Sequence, residues 1–199
     1  WIMLFAPFIM MAVAVSSFCS EFNNRTIELS KAIEPRRWIV PVAKLTVYGA
    51  VTALTVMTSA LILLVGFPRF FPDVWGRVDL LSEQGLRIWI GIPIYAVLVL
   101  AMGLGLAVLI PRASLVIAAI VLWKYGVEMM AFPRLSTSEL GARIQQYGPF
   151  ANAEYGAGQF AAFEPPFGSN VALTYFGVFA VVIFTIGLAR LTLRDLKSD

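Results

Sequence analysis

RIWIGIPIYAVLVLAMGLGLAVLI, residues 87–110, is followed after only Pro111 and Arg112 by ASLVIAAIVLWKYGVEMMAF, residues 113–132. Each run has about the 20 mostly apolar residues that a helix needs to cross a bilayer. The apolar character is continuous. A membrane β-barrel would instead show alternation in segments of roughly ten residues. Proline ends a helix because its ring blocks the preceding turn. Two residues leave no room for a loop, so the pair predicts two tightly packed antiparallel spans. Gly91, Gly103 and Gly105 lie in the first of them, with Pro93. Small residues allow close helix approach, and glycine is also ordinarily tolerated in membrane helices. Both readings stand.

Three more apolar runs flank this pair: Trp1 to about Phe18, about Val42 to Gly66, and about Val171 to Leu188. Apolar residues make up 59% of the chain and charged residues 14%. Soluble domains carry roughly a quarter charged residues. The expected fold is therefore all-α: a polytopic helical membrane protein with five spans, one transmembrane domain over residues 1–199. The chain opens at Trp1, inside an apolar run, which predicts residues before it. The opening has no basic leader and runs into a charged loop, unlike a signal peptide. Cys19 has no partner for an internal disulfide and reads as a small apolar filler at a span end. With no histidine, there is no histidine metal site or acid–base chemistry. No phosphate-binding G-x-x-x-x-G-K-[ST] loop occurs, nor a metal or nucleophile motif, nor any sign of nucleic-acid binding.

Charge sets the expected orientation. Nine of the fifteen Lys/Arg fall on one side of the spans: Arg25, Lys31, Arg36, Arg37, Lys44, Arg112, Arg190, Arg194 and Lys197. Five fall on the other, spread over longer loops: Arg69, Arg77, Arg87, Arg134 and Arg143. Lys124 lies within a span. The positive-inside rule then puts Glu21–Arg37 and the C-terminal tail, residues 190–199, in the cytoplasm.

The stretch EFNNRTIELSKAIEPRR, Glu21 to Arg37, is dense in charge and sits between two spans. Neither proline nor glycine interrupts it before Pro35. Phe22, Leu29 and Ile33 recur near one helical face. Glu21 and Arg25 are oriented to support a helix. Pro35 stops it, and Arg36, Arg37, Trp38 and Lys44 follow where headgroups meet the next span. One reading is an interfacial helix that only tethers two spans; the other is a docking element for a cytoplasmic partner. The Asn24-Arg25-Thr26 triplet fits a glycosylation pattern that a cytoplasmic loop makes accidental.

At these residues the chain resembles the permeases of type-2 ABC transporters. Those carry a glutamate after their second span, Gly-Thr four and five residues later, a short helix, a proline, an arginine, and a lysine opening the third span. Here the run is Glu21, Arg25-Thr26, Pro35, Arg36-Arg37 and Lys44, with Arg25 where glycine is usual. The tail, Ala189-Arg190 through Arg194-Asp195-Leu196, is similar to that family's basic ending. The resemblance covers the layout of the whole chain and implies six spans, of which the five here are the second to sixth. It implies that residues 21–37 are a coupling helix seated in a groove of a separate ATP-binding-cassette subunit. The contact residues would be Glu21, Arg25, Thr26, Glu28, Lys31 and Glu34. It further implies a second permease, identical or different, and Mg-ATP bound by the partner ATPase, with no cofactor in this chain. The implied place is a bacterial cell (inner) membrane, among its lipids. The implied function is ATP-driven export of a hydrophobic or amphipathic substrate, this chain being a transport subunit and not an enzyme.

Residues 132–170 are too long for a plain connector and too apolar for a disordered one. Ser136, Thr137 or Ser138 can cap a short helix to about Gln146, with Glu139 in its first turn. Gly148-Pro149 breaks it, and a second element is expected over about Ala153 to Phe163. One reading is a re-entrant outer hairpin, which must bury its broken backbone; the resembling family has such a hairpin. The other is an aromatic interfacial belt.

In the fourth span Lys124 and Glu128 are four apart and can pair. Charges in hydrocarbon normally face protein or water. They read either as the lining of a polar pathway or as a structural pair with Lys124 snorkelling. Two rival functions remain beside transport. One is a non-transporting membrane scaffold or sensor whose charged loop docks another protein. The other is a lipid-modifying membrane enzyme, which the scattered Asp and Glu support least.

Overall fold

The computed structural model describes residues 2–23, 38–73, 79–158 and 165–195, with backbone only for residues 2–4, 22, 23, 194 and 195. The described residues are helical with no strand. Helix α1 spans Ile2–Asn23. Four further helices are long and apolar enough to cross a membrane: α2, Ile39–Phe70; α3, Glu83–Leu109; α4, Ala113–Leu135; and α7, Ser169–Asp195. The first apolar segment gives a shorter apolar helix, Phe5–Glu21 within α1. The five apolar runs thus become four helices of spanning length and one shorter one. Two short helices, α5 (Glu139–Gln146) and α6 (Pro149–Gly156), lie between α4 and α7.

The central helix is α3. In its most apolar window 72% of residues are buried inside the protein, against 17–28% for α2, α4 and α7. A hydrophobic helix covered on all sides by its neighbours needs no amphipathic stripe. It packs against α1, α2, α4, α6 and α7. Its start is set locally: the Ser82 hydroxyl accepts from the Gly85 amide at 3.1 Å and Glu83 occupies the first turn. Both features satisfy the unpaired amides and positive end of a helix N-terminus. Its far end stops at Leu109, and the Arg190 guanidinium donates to the Leu109 carbonyl at 2.8 Å. Ile110, Pro111 and Arg112 then make the tight turn into α4. This joint defines the Pro111 end of the bundle; α5 and α6 define the opposite, hairpin end.

Of the two readings of Gly91, Gly103 and Gly105, close packing applies to all three. A Cβ on Gly105 would meet the Phe184 backbone nitrogen at 2.8 Å, and one on Gly187 would meet the Gly105 carbonyl oxygen at 2.8 Å. Here α3 and α7 cross backbone to backbone, a packing that only small residues allow. Gly103 faces the Met11 side chain of α1. The apolar core runs through Phe8, Met11, Val15, Val99, Leu100, Leu104, Val116 and Phe176. Outward-facing surfaces stay apolar, with Val47, Val51 and Leu54 on α2 and Val178, Val182 and Ile186 on α7. Some hydroxyls within the spans return to their own helices: Ser59 donates to the Thr55 carbonyl and Thr185 to the Val181 carbonyl. This suits lipid, where no water satisfies a polar group.

Several sequence expectations are revised. Residue Glu21 does not begin a separate loop helix; it lies in the last turns of α1, which continues to Asn23. The rest of the expected coupling helix, with Arg25, Thr26, Glu28, Lys31 and Glu34, lies outside the described residues. Arg190 belongs to α7, which stays helical to Asp195. The second hairpin element starts at Pro149, not near Ala153, and ends at Gly156. Proline at the first helical position has no amide to leave unpaired, so it starts this helix as well as ending the previous one.

Candidate functional site

The described buried charges gather at the hairpin end. Both α2 and α4 contain π-helical turns, over Ile62–Gly66 and Leu122–Ala131. Such widened turns are uncommon and often mark functional sites. In α4 the two buried residues of the widened stretch are Lys124 and Glu128. They are 6% and 5% exposed, and Glu154 on α6 is 7% exposed. A buried charge is tolerated only when paired and hydrogen-bonded.

Lys124 solves this across the fold. Its ammonium donates to Glu154 Oε2 at 2.6 Å. The expected pairing with Glu128, four residues on, is therefore replaced by a partner thirty residues away. The reason is that Glu128 is occupied differently. Its carboxylate accepts from the Ala151 amide at 2.8 Å, the Phe150 amide at 3.2 Å and Trp123 Nε1 at 2.7 Å. Phe150 and Ala151 are in the first turn of α6, whose cap residue Gly148 has no side chain to satisfy them. The carboxylate of α4 thus caps α6 in trans, where the helix dipole favours negative charge. Lys124 lies close enough to add electrostatic support to Glu128.

The other end of the α5–α6 break is also satisfied. Asn152 Nδ2 donates to the Gln146 and Gly148 carbonyls at 2.9 and 2.8 Å. Ser138 caps α5, accepting from the Gly141 amide at 3.1 Å, as the sequence suggested. Tyr175 of α7 donates to the Tyr147 carbonyl at 3.1 Å. The hairpin's broken backbone is thereby tied into protein, the condition for irregular chain at membrane depth. Burial raises the Glu154 carboxyl above the ordinary range, and Lys124 opposes that rise.

Aromatic rings wall the charges in. Phe8 lies 5.6 Å from Tyr125 and 5.8 Å from Phe150, ring centre to ring centre. Phe176 lies 5.3 Å from Phe150 and 5.8 Å from Tyr95. Helices α1, α3, α4, α6 and α7 all contribute. The arrangement can pin the hairpin to the spans and hold charge away from lipid. Next to it, Met102, Leu106, Ala119, Ile120, Trp123 and Phe150 line part of an apolar groove of about 220 Å³ that opens outward.

A second polar joint lies at the Pro111 end. Lys44 of α2 pairs with Glu21 at 2.8 Å, donates to Ser17 Oγ at 2.9 Å, and sits over the Tyr48 ring. It ties the last turns of α1 to the first turns of α2, the helices on either side of residues 24–37.

Sequence reasoning singled out Lys124 and Glu128 but missed Glu154 and Asn152. A signal was present: Glu154 is the one charged residue in the mostly aromatic and apolar stretch Pro149–Gly156. Compared with known proteins, the chain matches no family model, no curated protein and no solved structure.

Proposed function

We propose that this chain is the membrane-embedded permease subunit of an ATP-driven ABC-type exporter for a hydrophobic or amphipathic substrate. One observation carries the reading most: a helical hairpin, α5–α6, is folded back between the last two long helices and anchored by buried charge. The resemblance at Glu21, Thr26, Pro35, Arg36 and Lys44 predicts such a hairpin in this position of the chain. On this reading the Pro111 end and the C-terminus face the cytoplasm of a bacterium and the hairpin faces outward.

Coupling would pass through residues 21–37. Glu21, Arg25, Thr26, Glu28, Lys31 and Glu34 would meet the ATPase subunit, which binds Mg-ATP. The Lys44–Glu21–Ser17 joint favours this mechanism, because it ties together the two helices that flank the segment. A push on the segment would move α1 and α2 as a unit, and α3 packs against both. A second permease completes the transport unit.

The test is purification of the full-length tagged chain in mild detergent with mass spectrometry of what accompanies it. The expected result is a stoichiometric ATP-binding-cassette subunit that is lost when Glu28, Lys31 and Glu34 are charge-reversed. If no ATPase appears even after cross-linking, the transporter reading fails and the membrane-scaffold reading replaces it.

A further inference from the structure

The apolar groove beside the buried charges runs between α4 and α7, which both pack on α3. Met102 and Leu106 of α3 form its floor, Ala119 of α4 and Phe179 and Ile183 of α7 its walls, and Phe150 marks its hairpin end. Followed toward the Pro111 end, the same helix faces lead to two arginines. Leu109 continues the stripe of Met102 and Leu106, and Arg190 continues that of Phe179 and Ile183, at the three- and four-residue spacing of one helix face. Arg112, the cap residue of α4, stands two turns before Ala119. Arg190 Nη1 donates to the Leu109 carbonyl at 2.8 Å, which fixes its guanidinium over the end of α3, three residues from Leu106 and from Arg112. Both arginines are exposed, and neither pairs with a carboxylate among the described residues.

We propose that the groove and these two arginines form one binding site for an anionic phospholipid of the surrounding bilayer. The acyl chain lies in the groove, and the phosphate meets Arg112 and Arg190. The spacing fits one leaflet. At about 1.5 Å per residue the arginines stand about 10 Å along the helix axes from Ala119 and Ile183. Half of the hydrocarbon core is about 15 Å thick, so a lipid whose phosphate is at the arginines reaches the groove with its chains. Arginine near a span end extends to the headgroup level. Its planar fork of N–H donors matches phosphate oxygens, and Arg190 keeps donors beyond the one used on Leu109. The groove's apolar lining suits an alkyl chain and offers a polar cargo no partner. A second copy packed symmetrically over the groove would set arginine against arginine at one depth. The inference needs only membrane-embedded helices and stands whether or not the chain is a transport subunit.

The groove holds its own reporter, because Trp123 also lines it. The full-length chain with Trp1, Trp38, Trp75 and Trp89 replaced by Phe would be reconstituted in phosphatidylcholine vesicles. Increasing fractions of phosphatidylglycerol brominated near its chain ends would be added, with equally brominated phosphatidylcholine in parallel. Bromine quenches a tryptophan on contact. The expected result is quenching of Trp123 at lower fractions of the anionic lipid, an apparent preference of at least about fivefold, as one basic residue near a lipid surface supplies. High salt should narrow it. The preference should vanish in the Arg112→Gln, Arg190→Gln double variant and persist in the Arg112→Lys, Arg190→Lys one. Equal quenching by the two lipids would overturn the proposal and leave ordinary lipid contact. A preference that survives loss of both arginines would overturn it as well. So would a Trp123 that neither lipid quenches, which would assign the groove to a second copy or another protein. The comparison of lipids needs no change at either arginine, so a folding defect in the glutamine variant leaves the test decisive.

Discussion

Lys124 on α4 reaches Glu154 on α6 at 2.6 Å, across thirty residues of chain, and leaves Glu128 one turn away to cap a helix. The two acids therefore have different jobs. Glu154 neutralises a buried ammonium, and Glu128 organises the first turn of the hairpin's second helix.

Breaking the ion pair should be costly, because each partner is nearly sealed from water. Lys124→Met or Glu154→Gln alone should destabilise the protein by about 3–5 kcal/mol, since each strands a buried group. The double change Lys124→Met with Glu154→Met should cost much less. Denaturant unfolding in micelles measures this. A double-variant loss equal to the sum of the two single losses would mean that the charges act separately.

Removing the trans cap should act locally. Glu128→Ala should cost about 1–3 kcal/mol and speed hydrogen exchange at the Phe150 and Ala151 amides. Glu128→Gln keeps one acceptor oxygen and should protect those amides better. If the two amides exchange no faster in the alanine variant, Glu128 does not cap α6.

The close crossing of α3 and α7 should tolerate no side chain. Gly105→Val should lose about 1–3 kcal/mol or more through overpacking, because backbone, not a flexible tip, stands in the way. Gly126→Ala is the control, as a Cβ there meets nothing within 4 Å. A thermal scan that finds the two substitutions equivalent would contradict this crossing.

The joint at the Pro111 end is partly exposed, so its energetic share should be at most about 1 kcal/mol. Its role should show in position instead. Lys44→Glu should loosen α1 from α2, and the swap Glu21→Lys with Lys44→Glu should restore much of the link. Disulfide trapping between cysteines placed on the two helices would read this out. A swap that restores nothing would assign Lys44 to another contact.

The sequence alone determined the membrane-helix architecture, the Pro111–Arg112 turn, a hydroxyl cap within residues 136–138 and the break at Gly148–Pro149. Each follows from local chemistry: a continuous apolar run long enough to span a bilayer, a proline that cannot continue a helix, a hydroxyl positioned to accept from a first-turn amide. It also marked Lys124 and Glu128 as costly to bury. Tertiary structure alone decided who answers those charges. Spacing of four proposed Glu128 as the partner of Lys124, but two unpaired amides of α6 compete for that carboxylate, and α6 brings its own acid to the ammonium. Likewise Gly105 meets Gly187 through a crossing between helices far apart in sequence, while Gly126, in the same apolar context, touches nothing. Local pattern fixes where helices begin and end; which buried groups meet depends on how the helices pack, and that is a property of the whole chain.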